Sequence, residues 1–186
     1  MQIETTKKLF TADEYYRMAE VGILRPEDRV ELIDGEIIEM SPIGDRHAGC
    51  VNATNQAFNR AFQGRAVVSV QNPLRLNRCT EPEPDVVLLK PRKDFYRGKH
   101  ADGGDVFLVV EVADTTLRYD RDVKVPRYAA AGVPEVWIED LQHDLLLVYR
   151  DPQGRSYTSS RTLKRDESIA TLAIPDITFK VLDLIG

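Results

Sequence analysis

The spacing of apolar positions changes along the chain, and each change marks a predicted element. Thr11 to Glu20 has the pattern of a short helix. Thr11 and Glu14 stand at capping-box spacing, where each side chain satisfies a free backbone donor of the first turn. RVELIDGEIIEM follows, with Asp34-Gly35 between two apolar-rich runs. That dipeptide predicts a two-residue hairpin, because a type I′ turn needs positive φ at both central positions. In this register Glu31 faces Ile38, on one face with Ile33 and Met40, and a carboxylate there needs a partner. Asp45 to Phe62 predicts a helix with Val51, Phe58 and Phe62 at helical spacing and Gly64 as its stop.

Strands are expected over Ala66 to Val70, continued by Leu74 to Leu76 beyond Pro73, and over Pro84 to Leu89. Lys90 to Gly104 is polar and loop-like. Val106 to Val112 is apolar on both faces, as suits a central strand covered on both sides. A helix ending near Gly132 comes next, and its Pro126 must lie in the first turn or at a kink. Glu135 to Glu139 is a strand, with Pro134 at its start. Leu145 to Tyr149 and Tyr157 to Thr162, separated by DPQG, predict a second hairpin. Short strands around Ile174 and Phe179 complete the chain. From residue 45 to 140 the order is helix, three strands, helix, strand. This defines an α/β (α+β mixed-sheet) domain spanning 1–186, with the tail strands extending the sheet.

Composition narrows the class of protein. The 186 residues are 42% hydrophobic and 30% charged, enough for one domain with a sizeable core. No run is apolar and long enough to span a membrane, and MQIETTKKLF has no apolar signal core. Cys50 and Cys79 form neither a disulfide framework nor a zinc spacing, so a reduced, cytoplasmic protein is expected. The net charge of -5 argues against a non-specific nucleic-acid binder, which is usually basic. It leaves room for a metal-dependent nuclease, because an acidic metal cluster itself contributes negative charge.

The candidate chemistry sits on two strands. EPEPDVVLL places Asp85 at the start of one, and FLVVEV interrupts another with Glu111. Asp85 alone has the character of a turn aspartate. Glu111 is harder to assign to structure alone, because a charge in a strand buried on both faces is rarely unpaired. Either it pairs with an arginine or, with Asp85 nearby, it holds a hard cation such as Mg²⁺ or Mn²⁺. The Val112 carbonyl is a further oxygen ligand for that cation. Lys124 either forms a surface pair with Asp120, four residues earlier, or orients an attacking water and balances charge on phosphorus. His47 is a helix cap or a site member, and Glu31 is a third acid or an arginine's partner. Tyr128 and Trp137 belong to packing. Lys90, Arg92, Lys93, Arg97 and Lys99, interleaved with Phe95 and Tyr96, form either a solvated loop or a DNA-binding one.

In order, ELIDGEIIEMSP, His47, EPDVVLL, VVEV, Asp120-x-x-x-Lys124 and Y-x-x-x-G-V-P-E-V-W resemble the Uma-two family of putative restriction endonucleases. These are bacterial members of the PD-(D/E)XK nuclease superfamily. The resemblance covers about Phe10 to Tyr149. It implies a restriction-endonuclease-like core, with an N-terminal helix and hairpin and C-terminal antiparallel strands around it. It implies that Asp85 and Glu111 hold the divalent metal. The superfamily lysine stands two residues after the acid, where this chain has Ala113, so the resemblance points to Lys124 from the following helix. The expected activity is metal-dependent DNA cleavage, and a homodimer suits the cutting of two strands. The alternatives are a non-catalytic module on the same fold, binding nucleic acid or protein, and a phosphohydrolase acting on a small molecule.

Overall fold

The computed structural model describes residues 6–186. Helix α1 (Ala12–Glu20) begins at the expected capping box: Thr11 Oγ1 accepts from Glu14 N–H at 3.2 Å, and Glu14 Oε2 accepts from Thr11 N–H at 2.8 Å. Strands β1 (Val30–Ile33) and β2 (Glu36–Glu39) pair with Glu31 opposite Ile38, as the turn chemistry requires. Asp34 and Gly35 both have positive φ, 49° and 82°. A Cβ on Gly35 would lie 2.7 Å from Leu9 Cβ, so packing and backbone both call for glycine there.

After helix α2 (Asp45–Ala61) come β3 (Val67–Val70), β4 (Leu74–Arg75), β5 (Val86–Leu89), β6 (Ala101–Asp102) and β7 (Val106–Ala113). A short helix α3 (Leu117–Tyr119), a π-helical turn over Asp120–Lys124 and α4 (Val125–Ala130) form one continuous helical segment. The chain ends with β8 (Glu135–Asp140), β9 (Leu145–Gln153), β10 (Ser156–Lys164), β11 (Ser168–Ala170), β12 (Thr178–Lys180) and α5 (Val181–Ile185). The six-stranded sheet has the order β10-β9-β8-β7-β5-β3. Only β7 and β8 pair in parallel within it, joined by the α3–α4 segment as their crossover. Helix, three sheet strands, helix and strand are therefore present in the expected order.

Three expectations change. Leu74 does not prolong β3: Gln71 turns the chain with φ 48°, and β4 pairs in parallel with β6 in a separate two-stranded sheet. The tail does not widen the main sheet beyond β10, because β11 and β12 pair only with each other and Ile174 lies outside any strand. Asp151, Pro152 and Gln153 are not turn residues but part of β9, with Asp151 at φ 60°, and the turn falls at Gly154-Arg155. The Pro126 difficulty resolves locally. Proline occupies the first turn of α4, right after the widened π turn, where its missing N–H breaks no α-helical bond of the preceding segment. Gly132, φ 75°, closes α4, with Val133 N–H donating to Tyr128 O at 3.0 Å.

The sheet separates two cores. On one face Phe58 and Phe62 of α2 meet Trp137 and Phe179, with ring centroids 5.1 to 6.5 Å apart. On the other, Val109 and Ala113 of β7 and Ile138 of β8 pack under Val125 and Tyr128 of α4. A fully buried Val, Ile or Phe side chain contributes about 1.5–3 kcal/mol. Strand alternation puts Glu111, between Val109 and Ala113, on the α4 face.

Candidate active site

Glu111 is 2% exposed, at the end of β7 where pairing with β5 has stopped at Val110. Beyond that point the Val112 N–H has no strand partner and donates instead to Asp85 Oδ2 at 2.8 Å. Asp85 stands just ahead of β5, so the antiparallel pairing of β5 with β7 brings the two carboxylates to one sheet end. His47, in the first turn of α2, lies 3.1 Å from Asp85 Oδ1 through Nε2, and Gln71 Nε2 donates to the same oxygen at 3.3 Å.

Lys124 reaches this end from the helical segment. Its Nζ lies 3.3 Å from Glu31 Oε2 and 3.3 Å from Glu111 Oε1, and all three side chains are nearly inaccessible. The hairpin carboxylate therefore finds its partner in Lys124 rather than in an arginine. Tyr119 Oη donates to Glu31 Oε1 at 2.9 Å, and the Glu83 N–H donates to Glu31 Oε2 at 3.1 Å. Tyr128 Oη donates to Glu111 Oε1. The side chains of Glu31, Asp85, Glu111 and Lys124 line one cleft of about 400 Å³, together with His47, Asp120 and others.

The electrostatics follow from burial and proximity. Burial pushes the Glu111 carboxyl well above the usual range, against the pull of Lys124. Burial also acts to lower Lys124, but Glu111, Glu31, Asp120 and Asp85 more than offset it and keep the ammonium charged. For Asp85 burial acts upward, yet the His47 contact and the Val112 N–H bring it below the ordinary carboxylate value. His47 is correspondingly raised, first by its hydrogen bond to Asp85. Burial lifts Asp120 to about 6.

Sequence reasoning brings Asp85, Glu111, Lys124, Glu31 and His47 to one place, with Val112 beside them. It misses Tyr119, Tyr128 and Asp120. Tyr128 does pack, at 0% exposed, but its hydroxyl is bonded to Glu111. Asp120 and Lys124 are not a surface pair: both are buried, and they form no ion pair within 4.0 Å among the described residues. A helical repeat starting from Lys124 points to Tyr128, and the D-x-x-x-K spacing already singles out Asp120. The Lys90–Lys99 loop lies elsewhere. It leaves β5 at the end opposite Asp85, and none of its residues lines the cleft. Lys90 is engaged by Gly104 O, Arg92 by Asp94 and the Tyr96 ring, and Lys99 by Asp102.

The chain matches the Uma2 family, described as putative restriction endonucleases, over residues 12–183, and it belongs to that family. Among solved structures it is similar to a putative nuclease from Anabaena variabilis ATCC 29413, at 16% identity and a TM-score of 0.73. That likeness covers 95% of this chain and 97% of the other, and it confirms a restriction-endonuclease-like fold. No curated protein matches the chain. No helix among the described residues is long and apolar enough to cross a membrane.

Proposed function

We propose that this protein is a divalent-metal-dependent endonuclease that hydrolyses DNA phosphodiester bonds at the cleft formed by Asp85, Glu111 and Lys124. The observation that carries this reading is the approach of Lys124 Nζ to 3.3 Å from Glu111, although Ala113 fills the usual lysine position.

The donor set fits Mg²⁺ or Mn²⁺. The cleft lining holds the acids Glu31, Glu39, Glu83, Asp85, Glu111, Asp114 and Asp120 against only Arg29 and Lys124 as permanent cations. Such a surface repels phosphate unless a cation joins it. Among the described residues no three of His, Cys, Asp or Glu form a ready metal cage. Mg²⁺ does not need one, since it retains several waters and takes one or two carboxylates. Asp85, Glu111 and the Val112 carbonyl would hold it, and it would supply charge stabilisation to the transferring phosphoryl group.

The protein's own residues have distinct tasks in this reading. His47 and the Val112 N–H keep Asp85 ionised and oriented. Glu31, fixed by Tyr119 and the Glu83 N–H, holds Lys124 beside Glu111. The Lys124 ammonium then orients the attacking water or balances charge developing on phosphorus. Incubation with duplex and single-stranded DNA in Mg²⁺ or Mn²⁺ is the test. Asp85→Ala and Lys124→Ala are expected to cut at least about 100-fold more slowly than wild type. Equal rates for all three proteins would end this reading.

One observation favours a second reading, a non-catalytic module on the same fold. Lys124 already bridges Glu31 and Glu111, which neutralises part of the site without a metal. Calorimetric titration with Mn²⁺ separates the two: no binding supports the module.

A further inference from the structure

Of the buried acids lining the cleft, Glu31, Glu111 and Asp120, Asp120 has the fewest partners. Glu31 has Lys124, Tyr119 and a backbone donor, Glu111 has Lys124 and Tyr128, and Asp85 has His47, Gln71 and a backbone donor. Asp120, 4% exposed, has one side-chain partner among the described residues: Thr116 Oγ1 donates to Oδ2 at 2.6 Å. No donor among them reaches Oδ1, yet the residue lines the cleft. Oδ1 is therefore not sealed off from solvent, and a water in the cleft can complete it. The helical segment sets its placement. Asp120 and Lys124, the first and last residues of its π turn, are four apart and so share one helical face, which lines the cleft.

We propose that Asp120 accepts the proton of the attacking water, with Thr116 as the residue that positions it. The inference rests on the nuclease reading above. In the step, the water oxygen forms a bond to phosphorus and its proton passes to Asp120 Oδ1. The bond from phosphorus to the leaving oxygen breaks, that oxygen takes a proton from solvent, and Asp120 later returns its own proton to solvent. Burial suits the carboxylate to this task by lifting its affinity for protons towards neutrality. The charged and titratable groups facing it are Lys124 on its own turn, Glu111 on β7, Asp85 ahead of β5, Glu31 on β1, His47 on α2, Tyr119 on α3 and Tyr128 on α4.

The test compares wild type with Asp120→Asn, Thr116→Val, Thr116→Ser and Asp85→Asn. Single-turnover DNA cleavage in Mn²⁺ is followed from pH 5 to pH 9, with Mn²⁺ affinity measured by calorimetry. Asp120→Asn is expected to slow cleavage about 10²- to 10⁴-fold while Mn²⁺ affinity changes by less than about threefold. Thr116→Val removes a hydrogen bond that favours the ionised carboxylate, so the acid limb of its rate profile moves to higher pH. Thr116→Ser restores the limb. Should Asp120→Asn fail to fold, the shift in Thr116→Val decides. Unchanged rate and acid limb in Asp120→Asn, an unshifted limb in Thr116→Val, or loss of Mn²⁺ binding in Asp120→Asn each overturns the proposal while the nuclease reading stands. Failure of that reading looks different: wild type then cuts no faster than Asp85→Asn.

Discussion

The two ends of the central sheet both bury carboxylates, and they complete them in opposite ways. Glu135, at the start of β8, is fully buried. Its Oε1 accepts from Trp137 Nε1 at 2.8 Å and from Arg150, and its Oε2 accepts from the Leu172 N–H at 2.7 Å. Arg150 is itself held by Ala170 O. Both oxygens are occupied and neither faces a cleft, which is how an acid looks when its work is to tie β8 and β9 to the tail. At the other end Glu31 and Glu111 share one lysine, and Asp120 has a single neutral donor. A local rule is broken there and kept at Glu135, as expected where function rather than packing sets the arrangement.

This contrast makes its largest prediction for stability. Glu135→Ala leaves Arg150 partly buried without its anion and should cost about 3–5 kcal/mol. Asp120→Ala removes an acid that gains little from its surroundings, and at pH 8 it should cost less than about 1 kcal/mol or stabilise. Urea denaturation of both variants is the measurement. Equal losses would erase the distinction between the two ends.

Glu139 sharpens the contrast on the α2 face. It is fully buried, with Cys50 Sγ and Thr54 Oγ1 as neutral partners, each at 2.8 Å. Burial lifts its pKa from 4.5 to about 7. The folded state therefore binds a proton that the unfolded state has released between those values, so stability falls as pH rises from 4.5 to 7. The contribution is on the order of 3 kcal/mol. Glu139→Gln should flatten that part of the curve and be more stable than wild type at pH 8. A variant curve parallel to wild type from pH 4.5 to 8 would show that Glu139 ionises freely in the fold.

Much of the frame was legible because local chemistry decides it. The Thr11–Glu14 cap, the Asp34-Gly35 turn and the apolar β7 each carry their own signal. Glu31 and Glu111 stood out because a carboxylate among apolar strand residues must have a partner. The partners were less legible. Tyr119 and Asp120 reach the cleft from the helical segment after β7, where a polar side chain at helical spacing has the same pattern as an ordinary surface position. The Lys90–Lys99 loop follows Asp85 closely in sequence, but a strand is straight, and β5 carries it to the opposite sheet end. The pairing of β4 with β6 depends on a turn at Gln71, and a non-glycine residue with positive φ has no reliable sequence mark.

A smaller effect than at Glu135 or Glu139 is expected at Tyr128, and it tests whether a residue with every mark of packing also serves the cleft. The ring is fully buried under α4, and Tyr128→Phe keeps its shape, so no cavity forms. What disappears is the hydroxyl that donates to Glu111 Oε1. That bond favours the ionised form of Glu111, whose pKa burial already holds high, so its loss raises Glu111 further. The folded variant then takes up a proton more readily than folded wild type. Its deficit should be about 1–2 kcal/mol at pH 8 and shrink as pH falls and Glu111 protonates in both proteins. The same variant should leave the stability contribution of Glu135 untouched, because the two ends share no partner. Denaturation curves for Tyr128→Phe at pH 8 and pH 5, alone and combined with Glu135→Ala, provide the check. No deficit at pH 8 would return Tyr128 to packing alone, and a double variant departing from additivity would join the two ends into one network.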